Sequence, residues 1–270
     1  MNMLNDTDDR DQSAEEQVIG IVGGMGPQAG IELANDIFRL TEAKKDQEHR
    51  SVIMMSYPGQ LGDRTAYIEG TELINPAFNI AKVIQKLELS GADVVGIACN
   101  SSHVPAIYNV ILDELKKSSS RVRLLNMPKE TCKHIKEHFP EAAKVGVMST
   151  NGTYKAGVYV TLLEQAGLQA VVPTYSFQNE VIHDMVYNPS YGIKSCPEGI
   201  TDEVIDLLGR AFSFFQEQGV DAVILGCTEI PLALKQYPKT KQIPLLINPS
   251  EILAKALIAA TERRQLAHGE

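Results

Sequence analysis

Two of the four cysteines in this chain stand at matching points of similar segments. Cys99 lies eight residues after the glycine of a Gly-x-Asp-x-Val pattern, and Cys227 lies at the same distance from the glycine of a second such pattern. Inverting a stereocentre by proton transfer needs a base on one face of the carbon and an acid on the other. A thiol serves either role, because its reference pKa of about 8.5 lets both protonation states be populated. The matched pair therefore indicates proton transfer on both faces of a small substrate.

The remaining thiols have no such counterpart. Cys132 falls on a predicted helix and is interpreted as a packing or surface residue. Cys196 falls in a predicted loop, where it either lines a cleft or has no role. For Cys99 and Cys227 the alternative is a buried structural thiol, since cysteine is among the most buried residue types. The low cysteine content and the lack of CxxC pairs argue against a disulfide scaffold and predict reduced thiols.

Short apolar runs alternate with helical patterns around both cysteines, which is typical of βαβ units and a parallel sheet. Apolar residues at i, i+3, i+4 and i+7 predict amphipathic helices in segments 80–87, 159–166 and 204–211. Glycines at 91, 167 and 219 are placed to end these helices. The predicted strands are 18–22, 52–57, 93–99 and 121–125, followed by 144–149, 168–175, 221–227 and 243–247.

This order of elements occurs twice. A strand glycine, the matched cysteine and a Leu-Leu pair recur at offsets of 126, 128 and 121 residues. We therefore predict an α/β fold of two similar domains, each a parallel sheet flanked by helices, related by a pseudo-twofold axis. The first domain takes residues 18–125 and 245–270, and the second takes 126–244. Ligands of open parallel sheets bind beyond the carboxyl ends of the strands, so Cys99 and Cys227 are expected to face one inter-domain cleft.

The formal charge of -9 comes from 25 basic and 34 acidic residues among 270. Such a chain has no basic surplus for nucleic acid or for an anionic membrane surface. Six acids and one base fall in residues 1–17, which are polar and aperiodic and are predicted to form a disordered acidic leader. The acidic start is unlike a signal peptide, and no apolar run reaches the length of a membrane span. A cytoplasmic location is expected.

Two other patterns suggest different chemistry. His103 lies four residues after Cys99, a spacing that suits a metal pair or a Cys–His nucleophile. No second ligand pair and no Asp-bearing partner motif accompany it, so we interpret His103 as a packing or site-orienting residue. Residues 24–29 match the G-x-G-x-x-A dinucleotide pattern. However, the second strand ends in Tyr57 instead of a ribose-binding acid, and Pro27 removes a backbone donor. We expect neither metal nor cofactor.

Five motifs occur along the chain, namely GGMGP (23–27), DRT (63–65), CNSSH (99–103), NGT (151–153) and GCTEIPL (226–232). Through them the segment from about Val18 to Leu257 resembles the aspartate/glutamate racemase superfamily, specifically its aspartate racemase branch. Glutamate racemases proper usually begin with Asp-Ser-Gly and carry Cys-Thr-His at the second cysteine. The corresponding stretches here are Gly-Gly-Met and Cys-Thr-Glu, which favours the aspartate or a broader amino-acid branch.

The resemblance implies a pyridoxal-independent racemase or epimerase with Cys99 and Cys227 as its two acid/bases. The carboxylate-binding arginine of the family falls on Arg64 and its lysine on Lys194. Racemases of this family are commonly dimeric, so the resemblance also implies that a homodimer is possible. The expected substrate-binding residues are Met25, Arg64, Asn100, Ser101, Ser102, Thr150, Lys194, Thr228 and Glu229.

The chain departs from the family at the first cysteine, where the usual Cys-Asn-Thr-Ala-His is Cys-Asn-Ser-Ser-His. Ser101 keeps the hydroxyl without the methyl, and Ser102 adds a polar group. Near Lys194, Cys196 is an extra thiol. Three functions follow as hypotheses. The first is racemisation of a small acidic amino acid, aspartate before glutamate. The second is racemisation with broad specificity, and the third is binding of an anionic metabolite by a catalytically weak cleft protein.

Overall fold

Two four-stranded parallel sheets form the frame of the protein in a computed structural model that describes residues 17–196, 199–238 and 243–261. The strands of the first sheet are β1 (Ile19–Gly23), β2 (Val52–Ser56), β3 (Val94–Ile97) and β4 (Arg123–Leu124). Those of the second sheet are β5 (Lys144–Ser149), β6 (Gln169–Val171), β7 (Ala222–Gly226) and β8 (Leu246–Ile247). The first sheet has the order β2-β1-β3-β4, and the second has the equivalent order β6-β5-β7-β8. The predicted α/β class with two similar parallel sheets is confirmed.

Helices flank both sheets. Those up to the second sheet are α1 (Pro27–Leu40), α2 (Arg64–Glu69), α3 (Ala77–Leu89), α4 (Pro105–Lys117) and α5 (Met127–His138). The later ones are α6 (Asn151–Ala156), α7 (Val158–Gln165), α8 (Tyr175–Phe177), α9 (Asp184–Tyr187), α10 (Asp202–Glu217), α11 (Ile230–Leu234) and α12 (Pro249–Thr261). Short 3-10 turns cover Asp46–Glu48 and Asn100–His103, and a π-helical stretch covers Gln178–His183. The predicted leader lies outside the described residues, except for Gln17.

The central strands are buried on both faces, because their side chains are apolar on both sides of the sheet. In β1, Ile19 and Ile21 pack in one core with α1 and α12, whereas Val22 packs in another with α3 and α4. The second sheet repeats this arrangement: Val223 and Leu225 of β7 face the side of α10, and Ile224 faces the side of α5 and α7. Both sheets are therefore sandwiched between helices.

The edge strands are shorter than predicted. The pattern at 168–175 gives only β6, and Tyr175 begins α8 instead of ending the strand. β6 pairs with a single neighbour, β5, and Pro173 cannot donate a ladder hydrogen bond, so the pairing stops early. The segments 121–125 and 243–247 likewise contribute two paired residues each, in β4 and β8.

The end of the chain contributes to both sheets. β8 pairs with β7, so residues 246–247 belong to the second sheet, although the prediction grouped them with the first domain. α12 then packs Leu253 and Leu257 into the core beneath β1 and β3. The remaining domain limits stay predictions. Among the residues that the structure describes, no helix has both the length and the apolar composition that a membrane span requires.

Candidate active site

Cys99 and Cys227 follow equivalent strands, β3 and β7, which are third in the order of their sheets. The chain turns sharply after each thiol, into a 3-10 turn at Asn100–His103 and into α11 after residue 229. Both thiols are free and line one buried cavity of about 10 Å³, here called the thiol cavity. This volume holds about one water molecule. The repeat thus brings two thiols from separate sheets to one enclosed space.

The thiol cavity gathers nearly all of the predicted site. Ser102 does not line it; this fully buried residue lies behind Met25, and its hydroxyl donates to the sulfur of Met25 at 3.4 Å. Tyr187 lines the cavity and was not predicted. The lining residues are Met25, Arg64, Cys99, Asn100, Ser101, Thr150, Tyr187, Lys194, Gly226, Cys227, Thr228 and Glu229.

Arg64 is the first residue of α2 and is only 6% exposed. The carboxylate of Asp63 caps this helix by accepting from the backbone N–H groups of Thr65 and Ala66. The guanidinium donates to the carbonyls of Gly62 at 2.8 Å and Met25 at 3.3 Å. Its Nε is buried and has no partner among the described residues. The cap therefore fixes a buried cation at the wall of the thiol cavity.

The charge of Arg64 changes the acidity of Cys99. Burial by itself raises the pKa of this thiol, but Arg64 and the hydroxyls of Ser102 and Ser101 outweigh burial and leave the pKa lowered. The sulfur lies 3.6 Å from the hydroxyl oxygen of Ser101. A cation and hydroxyl donors stabilise a thiolate. Cys99 is thus suited to act as the base.

The surroundings of Cys227 act in the opposite direction. Its thiol donates to Glu229 Oε2 at 3.0 Å. Burial and the charge of Glu229 raise the pKa of Cys227 well above its usual value, and the opposing effect of Lys194 is smaller. Cys227 is therefore held as a neutral thiol, the form that delivers a proton.

Glu229 joins several parts of the site. Its Oε1 accepts from the backbone N–H of Gly26 at 2.9 Å and pairs with the ammonium of Lys194. Its Oε2 accepts from the hydroxyl of Thr228 at 3.3 Å. Burial tends to raise the pKa of Glu229, but Lys194, the thiol of Cys227 and the N–H of Gly26 lower it, so the carboxylate is ionised. The charge of Lys194 is consequently matched by a carboxylate of the protein itself.

Tyr187 links the two halves of the chain beside the thiol cavity. Its hydroxyl donates to Oδ2 of Asp63, the cap of α2, at 3.2 Å. The ammonium of Lys194 lies 5.5 Å from the centre of its ring, within the range of a cation–π contact. Tyr187 ends α9 after the short pieces α8 and the π-helical stretch, where the sequence has no regular apolar period and none of the recognised motifs. No signal in the sequence pointed to it.

His103 orients the turn that carries Cys99. Its Nδ1 donates to the carbonyl of Cys99 at 2.9 Å, and its ring stacks on Tyr108. Burial lowers the pKa of His103 to about 4, so the imidazole is neutral. No group of three or more His, Cys, Asp or Glu residues in the described part of the chain is arranged to hold a metal ion.

The two other cysteines stand apart from the thiol cavity. Cys132 is buried in the core between α5, α7 and the second sheet, where burial raises its pKa to about 12. Cys196 is partly exposed and lines a neighbouring space of about 660 Å³, here called the outer cavity. The outer cavity shares Lys194 and Glu229 with the thiol cavity, so the Lys194–Glu229 pair separates the two spaces.

The family model for Asp/Glu/hydantoin racemases matches residues 22–257. The chain belongs to this family. The racemase superposes on the aspartate racemase of Picrophilus torridus with a TM-score of 0.71 and 27% identity, covering 91% of this chain and 94% of that one.

A glutamate racemase of Bacillus anthracis has the same fold, with a TM-score of 0.61, 18% identity and coverage of 91% and 81%. The broad specificity amino-acid racemase RacX of Bacillus subtilis is 24% identical over 250 residues, 90% of this chain and 97% of RacX. The resemblance read from the sequence is confirmed, and the protein is an enzyme of the isomerase class.

Proposed function

We propose that this racemase interconverts the enantiomers of a small acidic amino acid without a cofactor, aspartate before glutamate, using Cys99 and Cys227 as the two acid/bases. The observation that carries the proposal is the opposite tuning of two thiols that line one cavity: the pKa of Cys99 is lowered and that of Cys227 is raised. A base and an acid on opposite faces of Cα are what inversion requires.

In the proposed step, the thiolate of Cys99 removes the α-proton from one face of Cα. The electron pair left behind is delocalised into the α-carboxylate. The thiol of Cys227 then delivers its proton to the opposite face, and the new C–H bond completes the inversion. Cys99 ends as a thiol and Cys227 as a thiolate, so the enzyme is set for the reverse direction.

The two carboxylates of an acidic amino acid need cations and hydrogen-bond donors to bind to this acidic protein. Arg64, Asn100, Ser101 and Thr228 are proposed to hold the α-carboxylate and the charge that grows on it, since donors placed at developing charge lower the barrier most. Lys194 is proposed to bind the second carboxylate, which replaces Glu229 as its partner. Met25 and Thr150 complete the proposed wall, and Ser102 supports Met25 from behind.

The test is α-proton exchange in heavy water with both enantiomers of aspartate, glutamate, alanine and leucine, after removal of pyridoxal phosphate and metals. We expect aspartate to gain deuterium and racemise. Cys99→Ser and Cys227→Ser should each lower racemisation by roughly 100- to 10,000-fold, the usual range for a lost acid/base. Cys196→Ser, a thiol outside the thiol cavity, is the matched control. A protein that exchanges none of these amino acids, or either thiol variant with full activity in both directions, would contradict the proposal.

A second candidate is a racemase of broad specificity, favoured by the outer cavity. Its wall includes the apolar side chains of Ile193, Ile200 and Leu232, and Lys194 at its inner end is already neutralised by Glu229. The similarity to RacX points the same way. Such a space suits a side chain longer and less charged than that of aspartate.

Filling the outer cavity distinguishes the two candidates. Leu232→Trp should lower kcat/KM for leucine and leave aspartate unaffected if long side chains occupy this space, whereas Leu73→Trp, at a 92% exposed position, controls for the added ring. Equal effects on leucine and aspartate would remove the support that the outer cavity gives to broad specificity. The homodimer and the cytoplasmic location remain predictions from the sequence.

A further inference from the structure

A buried tyrosine from the second half of the chain reaches a residue of the thiol cavity. Tyr159 lies on α7 and is 1% exposed. Its hydroxyl donates to Oδ1 of Asn100 at 2.6 Å. Asn100 follows Cys99 directly and lines the thiol cavity. The hydrogen bond therefore joins a core residue of one half to the residue beside the proposed base in the other.

The opposite end of the same amide has no partner. Asn100 is 3% exposed, and its Nδ2 is buried without a hydrogen bond to any described residue. Buried amide groups are almost always paired, and an unpaired one costs free energy unless a ligand satisfies it. With Oδ1 accepting from Tyr159, Nδ2 is the free group of the amide.

The chemistry of Tyr159 keeps this orientation constant. A phenol that donates must be protonated, and burial is the main cause that raises the pKa of Tyr159 well above its usual value. A hydrogen bond accepted at Oδ1 also polarises the amide and strengthens the donor at Nδ2. The ring of Tyr159 packs with Leu163 and Cys132 in the core, and those contacts do not need the hydroxyl.

We propose that Tyr159 is a positioning residue, which fixes the amide of Asn100 so that Nδ2 donates to the substrate carboxylate as charge grows on it. The inference rests on the proposed function, because it assigns a partner within the same site. Without the phenol hydroxyl, the amide is free to rotate and to present its oxygen to the carboxylate. The two groups then repel each other, because both are negatively polarised.

The experiment compares Tyr159→Phe with Tyr154→Phe on the full-length protein. Tyr154 also belongs to the second half and donates its hydroxyl to the carbonyl of Pro173 at 2.9 Å, but it does not line the thiol cavity. The assay follows kcat and KM for whichever panel amino acid the wild type racemises fastest. We expect Tyr159→Phe to lower kcat about tenfold with a smaller change in KM, because the contact strengthens in the transition state. Tyr154→Phe should retain wild-type kinetics.

A double-mutant cycle with Asn100→Ala separates positioning from packing. If Tyr159 acts through Asn100, Tyr159→Phe has no further effect on kcat once the amide is absent. The same tenfold loss in both backgrounds, or wild-type kcat in Tyr159→Phe, would overturn the inference while the racemase proposal stands. A wild type without α-proton exchange overturns the proposed function, and the inference with it.

Discussion

Cys99 and Cys227 hold equivalent places in the repeat but have different charged neighbours. A buried arginine lies near the first, and a buried glutamate accepts a hydrogen bond from the second. The repeat places two matching thiols at one cavity, and the residues around them shift the two pKa values in opposite directions. In a two-base enzyme this difference sets which enantiomer meets a ready base in the resting protein.

Glu229→Gln should narrow the pH range of activity. The negative charge of Glu229 raises the pKa of Cys227, so its removal lowers that pKa, and Lys194, once released, acts in the same direction. The high-pH limb of kcat/KM, where the proposed acid loses its proton, should therefore move to lower pH. Glu32→Gln is the matched control, because Glu32 pairs with the exposed Lys235 outside the thiol cavity. An unmoved high-pH limb in Glu229→Gln would argue against Cys227 as the acid.

His103 should make the fold sensitive to acid. Its pKa in the folded protein is about 4 against an ordinary value of 6.5, so between these values the unfolded chain binds more protons than the folded one. Stability from this group is complete above pH 6.5 and is lost as the pH falls toward 4, by up to ~1.4 kcal/mol per pH unit. His103→Asn, which keeps a donor near the position of Nδ1, should show a flatter dependence of the unfolding free energy on pH in urea titrations. Equal slopes for the two proteins would contradict the assignment.

The sequence predicted those residues at the thiol cavity that belong to local motifs and missed those that are placed there by spatial contact. Cys99, Cys227 and Arg64 stand in recognisable segments, and the repeat placed both thiols at strand ends. Tyr187 and Tyr159 meet Asp63 and Asn100 across 124 and 59 residues of chain. No periodicity or spacing encodes such a meeting, because it depends on how the two halves pack.

Strand β5 packs unusually close to helix α10. A Cβ added at Gly146 would lie 2.5 Å from Cδ1 of Phe215, a fully buried ring of α10. The sheet and the helix can therefore pack at this distance only with glycine at that position. A Cβ added at Gly20, the counterpart of Gly146 in the repeat, would similarly lie too close to Val95 and Ala92.

Gly146→Ala should destabilise the protein by about 1–3 kcal/mol, the usual cost of overpacking a core. Urea unfolding monitored by circular dichroism measures the change. Gly59→Ala is the control, since nothing lies within 4 Å of an added Cβ there and its backbone is not left-handed. A Gly146→Ala protein as stable as wild type would show that α10 can shift without cost.

Central elements were predictable from the sequence and edge elements less so. The central strands are buried on both faces and produce clear apolar runs in the sequence, namely β1, β3, β5 and β7. Their observed bounds lie close to the predicted ones. β4 and β8 have two paired residues each, so their length depends on register with a neighbour and not on local composition. The pairing of residues 246–247 with the second sheet likewise depends on contact with β7 and not on local composition.

Across the whole molecule, contacts between the halves enclose the site. Tyr187 donates to Asp63, Lys155 pairs with Glu69 at 2.7 Å, and Glu229 accepts from Gly26. The thiol cavity of about 10 Å³ is smaller than an amino acid, so we expect its walls to move apart when substrate binds. In the proposed mechanism, enclosure of this kind excludes water from the proton transfers.

Leu257→Ala tests how much the packing of α12 contributes to the stability of the first sheet. Leu257 on α12 is fully buried in the core with Ile19, Ile21 and Leu33, and it lies against Gly96 of β3. The substitution should cost about 2–5 kcal/mol in urea unfolding, as large-to-small changes in cores do. Leu73→Ala, at a nearly fully exposed position, should be close to neutral. A small effect at Leu257 would mean that the first sheet is stable without α12.

The packing of α12 has a consequence for how the protein is made. Residues 19–124, which carry the first sheet, emerge from the ribosome early, yet one of the helices that covers this sheet is the last described element to be translated. The usual order, in which the N-terminal unit folds first during synthesis, cannot be completed here. We expect one apolar face of the first sheet to stay incompletely covered until α12 has been synthesised, which leaves that face open to contacts with other molecules in the meantime.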